Sequence, residues 1–262
     1  MESKVERLLN CRIDSRGGAI MSESLDGRVA IVVGATSGMG RATAVELARG
    51  GAVVTAAGRR EERLDGLVEE TSAQGLTVDT CVCDVTVEEE VDGLVEQVQE
   101  AHGRVDLMVY STGTNIVERG LEVLTPETWD MMLATNLSGA FHATRSVLPA
   151  MRAAGGGLII YLSTAAVQRP DVSGVAYQAS KHGLTGLAHG TRVEEQANGI
   201  RTCVIFPGLC DTEILEKRPT PTPREVLDLS LDPLDVAEAV LFVARLHPRA
   251  VVPELQLLPS RL

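Results

Sequence analysis

The chain has 262 residues, 44% hydrophobic but only 3% aromatic, which suits one sizeable core built from Val, Leu, Ala and Ile rather than from rings. A formal net charge of −12 argues against nucleic acid and anionic membrane as partners, since both require a basic face. The five cysteines, Cys11, Cys81, Cys83, Cys203 and Cys210, show no metal-ligand spacing, and their odd number without an apolar leader reads as reduced thiols in the cytoplasm.

Residues 1–18 are polar and mixed in charge, and residues 1–24 read as a mobile N-terminal tail; residues 25–262 read as a single domain. Arg28 to Val33 is an almost continuous apolar run, as expected of a buried parallel strand. A glycine-rich turn follows, then a helix over 41–49 stopped by Gly50-Gly51. Strands are predicted over 52–57 and 77–83, and helices over 61–74 and 87–102, the second capped by Thr86. A strand over 105–110 ends in Ser111-Thr112-Gly113. Thr125-Pro126 opens a helix running to about Ala154, with a kink near Pro149. After Gly155-Gly156-Gly157 come a strand over 158–163, a helix over 175–198 and a strand over 200–206 that ends at Pro207-Gly208. Residues 213–232, rich in Pro, Thr and charge, read as a substrate loop or lid, before a helix over 233–246 and a strand over 251–257. This alternation predicts an α/β, Rossmann-like doubly wound parallel sheet of about seven strands, with helices on both faces in three layers.

Chemistry concentrates in two stretches. Gly34-Ala35-Thr36-Ser37-Gly38-Met39-Gly40 joins the first strand to the first helix, where backbone N–H groups and the helix dipole receive the pyrophosphate of a dinucleotide. At the end of the second strand stands Gly58-Arg59-Arg60, without the acid that would bind a ribose 2′-hydroxyl. A guanidinium suits a phosphate, so NADP(H) is expected in preference to NAD(H). The second stretch is Tyr177-Gln178-Ala179-Ser180-Lys181. On a helix, positions i and i+4 share a face, and a cation beside a phenol lowers its pKa, which would make Tyr177 usable as an acid/base.

In order along the chain, Gly34 to Gly40, Cys83-Asp84-Val85, Asn136-Leu137-Ser138-Gly139, Leu162-Ser163-Thr164, Tyr177-x-x-x-Lys181 and Pro207-Gly208 resemble the signature of the short-chain dehydrogenase/reductases, in their compact single-domain branch, over about residues 25–258. The C-terminal run Val252 to Pro259 resembles a subgroup of bacterial NADP-dependent reductases of small hydroxy or carbonyl compounds. The resemblance implies an oxidoreductase, a carbonyl reductase or alcohol dehydrogenase, that transfers hydride reversibly between nicotinamide C4 and a carbonyl or carbinol carbon. It implies that Tyr177 is the acid/base, that Lys181 lowers its pKa and holds the nicotinamide ribose, and that Asn136 binds a water linking Lys181 to solvent. A hydroxyl after the fifth strand would orient the substrate oxygen. Asp84 and Val85 would border the adenine, Gly113 would lie at the cofactor, and Thr212, after Pro207-Gly208, would meet the carboxamide. A homodimer or homotetramer through helices 126–154 and 175–198 is implied too, so that a charge at Ala154 would weaken assembly.

Two positions depart from the family pattern. Tyr110-Ser111-Thr112-Gly113 replaces Asn-Asn-Ala-Gly, keeping only the glycine. Counting back from Tyr177 without gaps puts Thr164 rather than Ser163 at the serine position; the two neighbours face opposite sides of a strand end, and both stay open. Two other functions compete: a sugar-nucleotide epimerase or dehydratase, and a non-catalytic NADP-binding sensor or scaffold on the same fold. The substrate is a small molecule in a pocket predicted from Ile116, Val117, Ala165, Ala166, Val167, Leu209 and the 213–230 loop, with no charged substrate group indicated. His142, His182 and His189 read as packing or surface residues, and Trp129 as a core or interface anchor.

Overall fold

The computed structural model describes residues 24–262, together with the backbone of two short strands, Cys11–Ile13 and Ala19–Met21, that pair antiparallel. The mobility expected of residues 1–24 otherwise falls outside the described residues. The main sheet has seven strands: β1 (Val29–Val33), β2 (Val53–Gly58), β3 (Val78–Val82), β4 (Leu107–Tyr110), β5 (Gly157–Leu162), β6 (Ile200–Pro207) and β7 (Glu254–Leu257). All pair parallel, in the order β3-β2-β1-β4-β5-β6-β7. β1 and β4 are buried at every residue, which is why they read as unbroken apolar runs: a strand covered on both faces has no solvent side to mark.

Eight α-helices complete the described domain: α1 (Gly38–Arg49), α2 (Glu61–Ala73), α3 (Glu88–His102), α4 (Pro126–Leu133), α5 (Gly139–Ala153), α6 (Val175–Glu195), α7 (Arg224–Leu227) and α8 (Pro233–Ala244). One core joins α1, α2 and α8 to the sheet through Leu47, Leu64, Leu67 and Val240. The other packs α3, α5 and α6 on the opposite face through Leu94, Val147 and Leu184. The chain order reverses between β1 and β4, so a crevice opens at the carboxyl ends of those strands, where such folds bind ligands.

Several local expectations are corrected. The long helix is interrupted not at Pro149, which α5 incorporates, but by a π-turn at Ala134–Ser138. The Tyr110 hydroxyl donates to the Thr135 carbonyl at 2.8 Å, and the Asn136 side chain reaches the backbone of Thr114, so the extra residue in the turn is held from outside the helix. Thr86 does not cap α3; its N–H and hydroxyl both donate to Asp84 Oδ1, at 2.9 and 2.8 Å, and Val87 holds the N-cap position. The final strand is shorter than predicted, starting at Glu254, and α6 gives way to a 3-10 turn at Gln196–Asn198. The 213–232 segment carries a 3-10 turn over Glu213–Lys217 and the short α7, and is tied back by a Cys210–Leu231 bridge.

Cys83, Cys203 and Cys210 are buried free thiols, each pushed up to about 12, chiefly by burial, which makes them poor nucleophiles. Among the described residues no group of His, Cys, Asp and Glu could hold a metal ion, and no helix is long and apolar enough to cross a membrane.

Candidate active site

The carboxyl ends of β1, β2, β4, β5 and β6 open into one cleft of about 480 Å³. At its floor lies the glycine turn. Gly34 has φ +91°, and a Cβ there would stand 2.7 Å from the Thr112 amide nitrogen. A Cβ on Gly40 would lie 2.2 Å from the Gly34 carbonyl oxygen, a backbone atom that cannot swing away. Gly40→Ala is therefore expected to cost roughly 1–3 kcal/mol of stability by overpacking and to weaken cofactor binding, as read by urea unfolding and fluorescence titration.

At the end of β2, Arg60 folds over this turn. Its Nη2 donates to Thr36 Oγ1 at 2.9 Å and to Ser37 Oγ at 2.8 Å, and its Nη1 meets Glu213 at 2.9 Å. Arg63 approaches the same carboxylate at 3.3 Å. The hydrogen bond from Arg60 holds Glu213 below the usual carboxylate range. Arg59 is more open and reaches Asp84 at 3.4 Å. Burial works to raise the Asp84 carboxyl, but hydrogen bonds from Thr86 and the Arg59 charge hold it low. Val85 is buried against Gly139, and its carbonyl meets His142 Nδ1 at 3.2 Å. Across the cleft, Thr212 lies over Gly38, and Gly208 is fixed to Leu257 O at 2.8 Å.

The other end is built on α6. Lys181 is 3% exposed, and its Nζ donates to the Leu162 carbonyl at 3.0 Å. Gly113 sits close: a Cβ there would be 3.0 Å from Nζ. Burial pushes the Lys181 ammonium down to about 8. Asn136 accepts from Thr114 N at 2.7 Å and donates to Thr114 O and Ser180 Oγ, both at 3.0 Å, which leaves one lone pair for any water. Ser163 and Thr164 part company, as strand alternation requires. Both line the cleft, but Ser163 is buried and donates to the Lys181 carbonyl at 3.2 Å, whereas Thr164 stands near enough to the Tyr177 phenol to hold its pKa down.

The phenol differs from expectation. Burial pushes Tyr177 up to about 12 rather than down; the Thr164 hydrogen bond and the Arg119 and Arg218 charges moderate the rise, and Asp171 adds to it. Thus Tyr177 stays a protonated donor at neutral pH.

The family model for short chain dehydrogenases matches residues 28–222. The protein belongs to the short-chain dehydrogenase/reductase family. As such it is an oxidoreductase that works between hydroxyl and carbonyl groups with a nicotinamide cofactor. Among this dehydrogenase/reductase's relatives, the 3-oxoacyl-[acyl-carrier-protein] reductase FabG of Thermotoga maritima is 33% identical over 226 residues, 84% of this chain and 91% of its own. The alcohol dehydrogenase of Thermococcus sibiricus, solved with 5-hydroxy-NADP, superposes with a TM-score of 0.80 at 29% identity, covering 89% of this chain and 97% of that one. The 3-ketoacyl-(acyl-carrier-protein) reductase of Brucella melitensis, solved with NADH, has a TM-score of 0.80 at 25% identity, covering 91% and 99%.

The residues present fit a dinucleotide. The start of α1 carries no side-chain cap and no acid in its first turn, so its N–H groups are left for a phosphate, and the glycine turn admits no side chain where the pyrophosphate would lie. Gly34, Thr36, Ser37, Gly38, Met39, Arg59, Arg60, Val85, Gly113, Tyr177, Lys181, Pro207, Gly208 and Thr212 all line the cleft; Gly40 supports it from behind. Of the predicted substrate pocket, Ala165, Ala166 and Leu209 line the cleft, but Ile116, Val117 and Val167 do not: Val117 is 52% exposed and Val167 packs towards the core. The 213–230 loop does line the cleft, through Glu213 to Leu215, Lys217 and Arg218, and the lining that sequence reasoning missed includes Thr114, Asn115, Asp171 and two further cations, Arg119 and Arg169.

Proposed function

We propose that the protein is an NADP(H)-dependent carbonyl reductase or alcohol dehydrogenase in which Tyr177 exchanges a proton with the substrate oxygen. The observation that carries this is a phenol in one cleft with Thr164 and the glycine turn, four residues before a buried lysine. When bound, the nicotinamide supplies or accepts a hydride. The chain's own part is to orient and to move a proton. Thr164 Oγ1 and Tyr177 Oη take the substrate oxygen between them, and Oη gives up its proton as charge develops there. Lys181, whose remaining N–H groups are free to face the cleft, compensates the phenolate and holds a ribose hydroxyl. Asn136 keeps the loop after β4 beside Lys181 and lends its spare lone pair to a water.

NADP over NAD follows from the absence of an acid at the end of β2 and from the guanidiniums gathered there. Glu213 gives Arg60 and Arg63 an anionic partner from the lid, in the role a 2′-phosphate would take. Arg60→Ala is expected to weaken NADPH binding by roughly 10–100-fold, the worth of a charge-assisted hydrogen bond, and to leave NADH much less affected. Fluorescence titration with each cofactor, followed by a panel of carbonyl compounds, tests the whole reading; equal NADH and NADPH affinity in the wild type would overturn the cofactor preference. We place the enzyme in the cytoplasm as a homodimer or homotetramer assembled through α4, α5 and α6. Exposed Phe141 on α5 and Val193 on α6 support such a seam.

A further inference from the structure

We propose that the substrate carries an anionic group, a carboxylate, sulfonate or phosphate, and that Arg119 and Arg218 bind it beside Tyr177. This rests on the oxidoreductase reading above and names the substrate class it leaves open.

The chain is acidic, and its arginines find carboxylates readily: Arg41, Arg49, Arg104, Arg145, Arg152 and Arg224 each meet one. The cations at the substrate end do not. Arg119 gives Nη2 to the Lys217 carbonyl, and its Nε is buried with no partner at all. Arg218 Nη1 donates only to the Thr222 hydroxyl, at 3.0 Å, and Lys217 Nζ to the Thr114 hydroxyl, at 2.6 Å. Arg169 stands exposed at the rim. Of the two acids that line the cleft, Asp171 accepts from the Ser173 N–H and hydroxyl and lends its charge to Arg119 without forming an ion pair with it, and Glu213 lies at the opposite end with Arg60 and Arg63.

Leaving a buried guanidinium N–H unmade is costly, and Arg119, unlike the equally unpartnered Arg192, lines the cleft, where an anionic ligand would complete it. The position of Arg119 is fixed by packing. Its stem lies against Gly174, where a Cβ would stand 2.7 Å from Arg119 Cβ and 3.0 Å from its Cγ. Gly174 is the N-cap of α6, three residues before Tyr177, so the guanidinium is held relative to the phenol by the same helix start. The charges of Arg119 and Arg218 both reach the phenol. Arg119 also bonds the 213–217 turn, so an anion there would draw the lid and the loop after β4 together over the reacting carbon. The planar fork of a guanidinium suits a carboxylate, sulfonate or phosphate alike.

The test compares matched pairs of carbonyl substrates, oxo-acids, oxo-sulfonates and oxo-phosphates, each against its neutral ester or amide, with NADPH and the full chain. The expected result is kcat/KM at least tenfold higher for one class of anion than for its neutral partner. That ratio should collapse towards one in Arg119→Met, mostly through KM, and be partly kept in Arg119→Lys. Arg218→Gln is the second variant should Arg119→Met fail to fold. Calorimetric titration of the same acids into Tyr177→Phe with NADP⁺ reads binding apart from turnover. Neutral compounds turned over as well as the acids would overturn the anion site and leave the reductase standing. If NADPH binds but nothing is turned over, the reductase reading fails, and calorimetry still decides: binding of an acid that is lost in Arg119→Met supports the site, and no binding overturns it.

Discussion

Tyr177→Phe is expected to lower kcat by roughly 10²–10⁴-fold, the usual worth of a positioned general acid, with cofactor affinity of the same order as wild type. The change removes one oxygen from a half-buried ring and leaves the helix and its packing alone. Thr164 Oγ1 keeps its bond from Ala166 N at 3.3 Å, so the hydroxyl beside the missing phenol stays in place. Because Tyr177 is pushed up to about 12, it remains protonated through the neutral range, and reduction should not lose rate there through this group. Single-turnover reduction at saturating NADPH measures the chemical step directly. A kcat within tenfold of wild type would show that another group, or water, protonates the substrate oxygen. Thr164→Ala should cost less, since it removes a hydrogen bond to the oxygen but not the proton.

The layered fold was legible because its signals are local. β1 and β4 needed only contiguous apolar residues, and the turn between β1 and α1 needed only glycines where backbone passes backbone. The errors lie where one side chain's hydrogen bond decides. The π-turn in the long helix is met by Tyr110, on a strand 25 residues earlier, whose hydroxyl donates to the Thr135 carbonyl. The same tyrosine accounts for the departure from the family pattern after β4. Its phenol fills the space against Gly139, while the Ser111 N–H keeps its bond to Val33 O at 2.8 Å, so the β1–β4 pairing survives without the asparagines. Thr86 was misread because Asp84, two residues before it, accepts both of its donors, and a sequence does not say which of two capping residues wins.

The site divides along the same line. Tyr177 and Lys181 lie one helical turn apart, so their sharing a face followed from spacing alone. Which way each head group travels did not: Lys181 reaches the end of β5 at Leu162, and burial governs both groups more than their mutual charge does. Thr164 against Ser163 was a matter of strand alternation, which needs the strand's phase as well as its sequence. The cationic substrate end was invisible for a different reason. Arg119 sits in an exposed, irregular stretch far along the chain from the Lys217-Arg218 lid, and only the fold brings them to one cleft.

Lys181→Met is expected to abolish turnover and yet make the fold more stable at neutral pH. The ammonium is 3% exposed, and burial depresses it to about 8, against ~10.4 for lysine in an unfolded chain. The unfolded state therefore holds this proton more tightly. Below about pH 8 the folded protein carries the full cost of burying the charge; as pH rises from about 8 towards ~10.4 the folded state sheds the proton first, and stability recovers. Methionine matches the aliphatic stem without the charge, so the variant should gain roughly 1–3 kcal/mol at pH 7, less the bond to Leu162 O that it loses. Its advantage should shrink towards pH 10. Tyr177 works in the opposite sense at higher pH: its folded value of about 12 lies above the unfolded ~10, so its contribution is full below ~10 and is lost on the way to 12. Urea unfolding of both proteins at one-unit steps from pH 6 to pH 10 reads the difference. A variant less stable than wild type at pH 7 would mean that the Leu162 bond outweighs desolvation. A stabilised variant without activity would mark Lys181 as a residue kept for chemistry at the expense of the fold, as a cation buried beside a general acid should be.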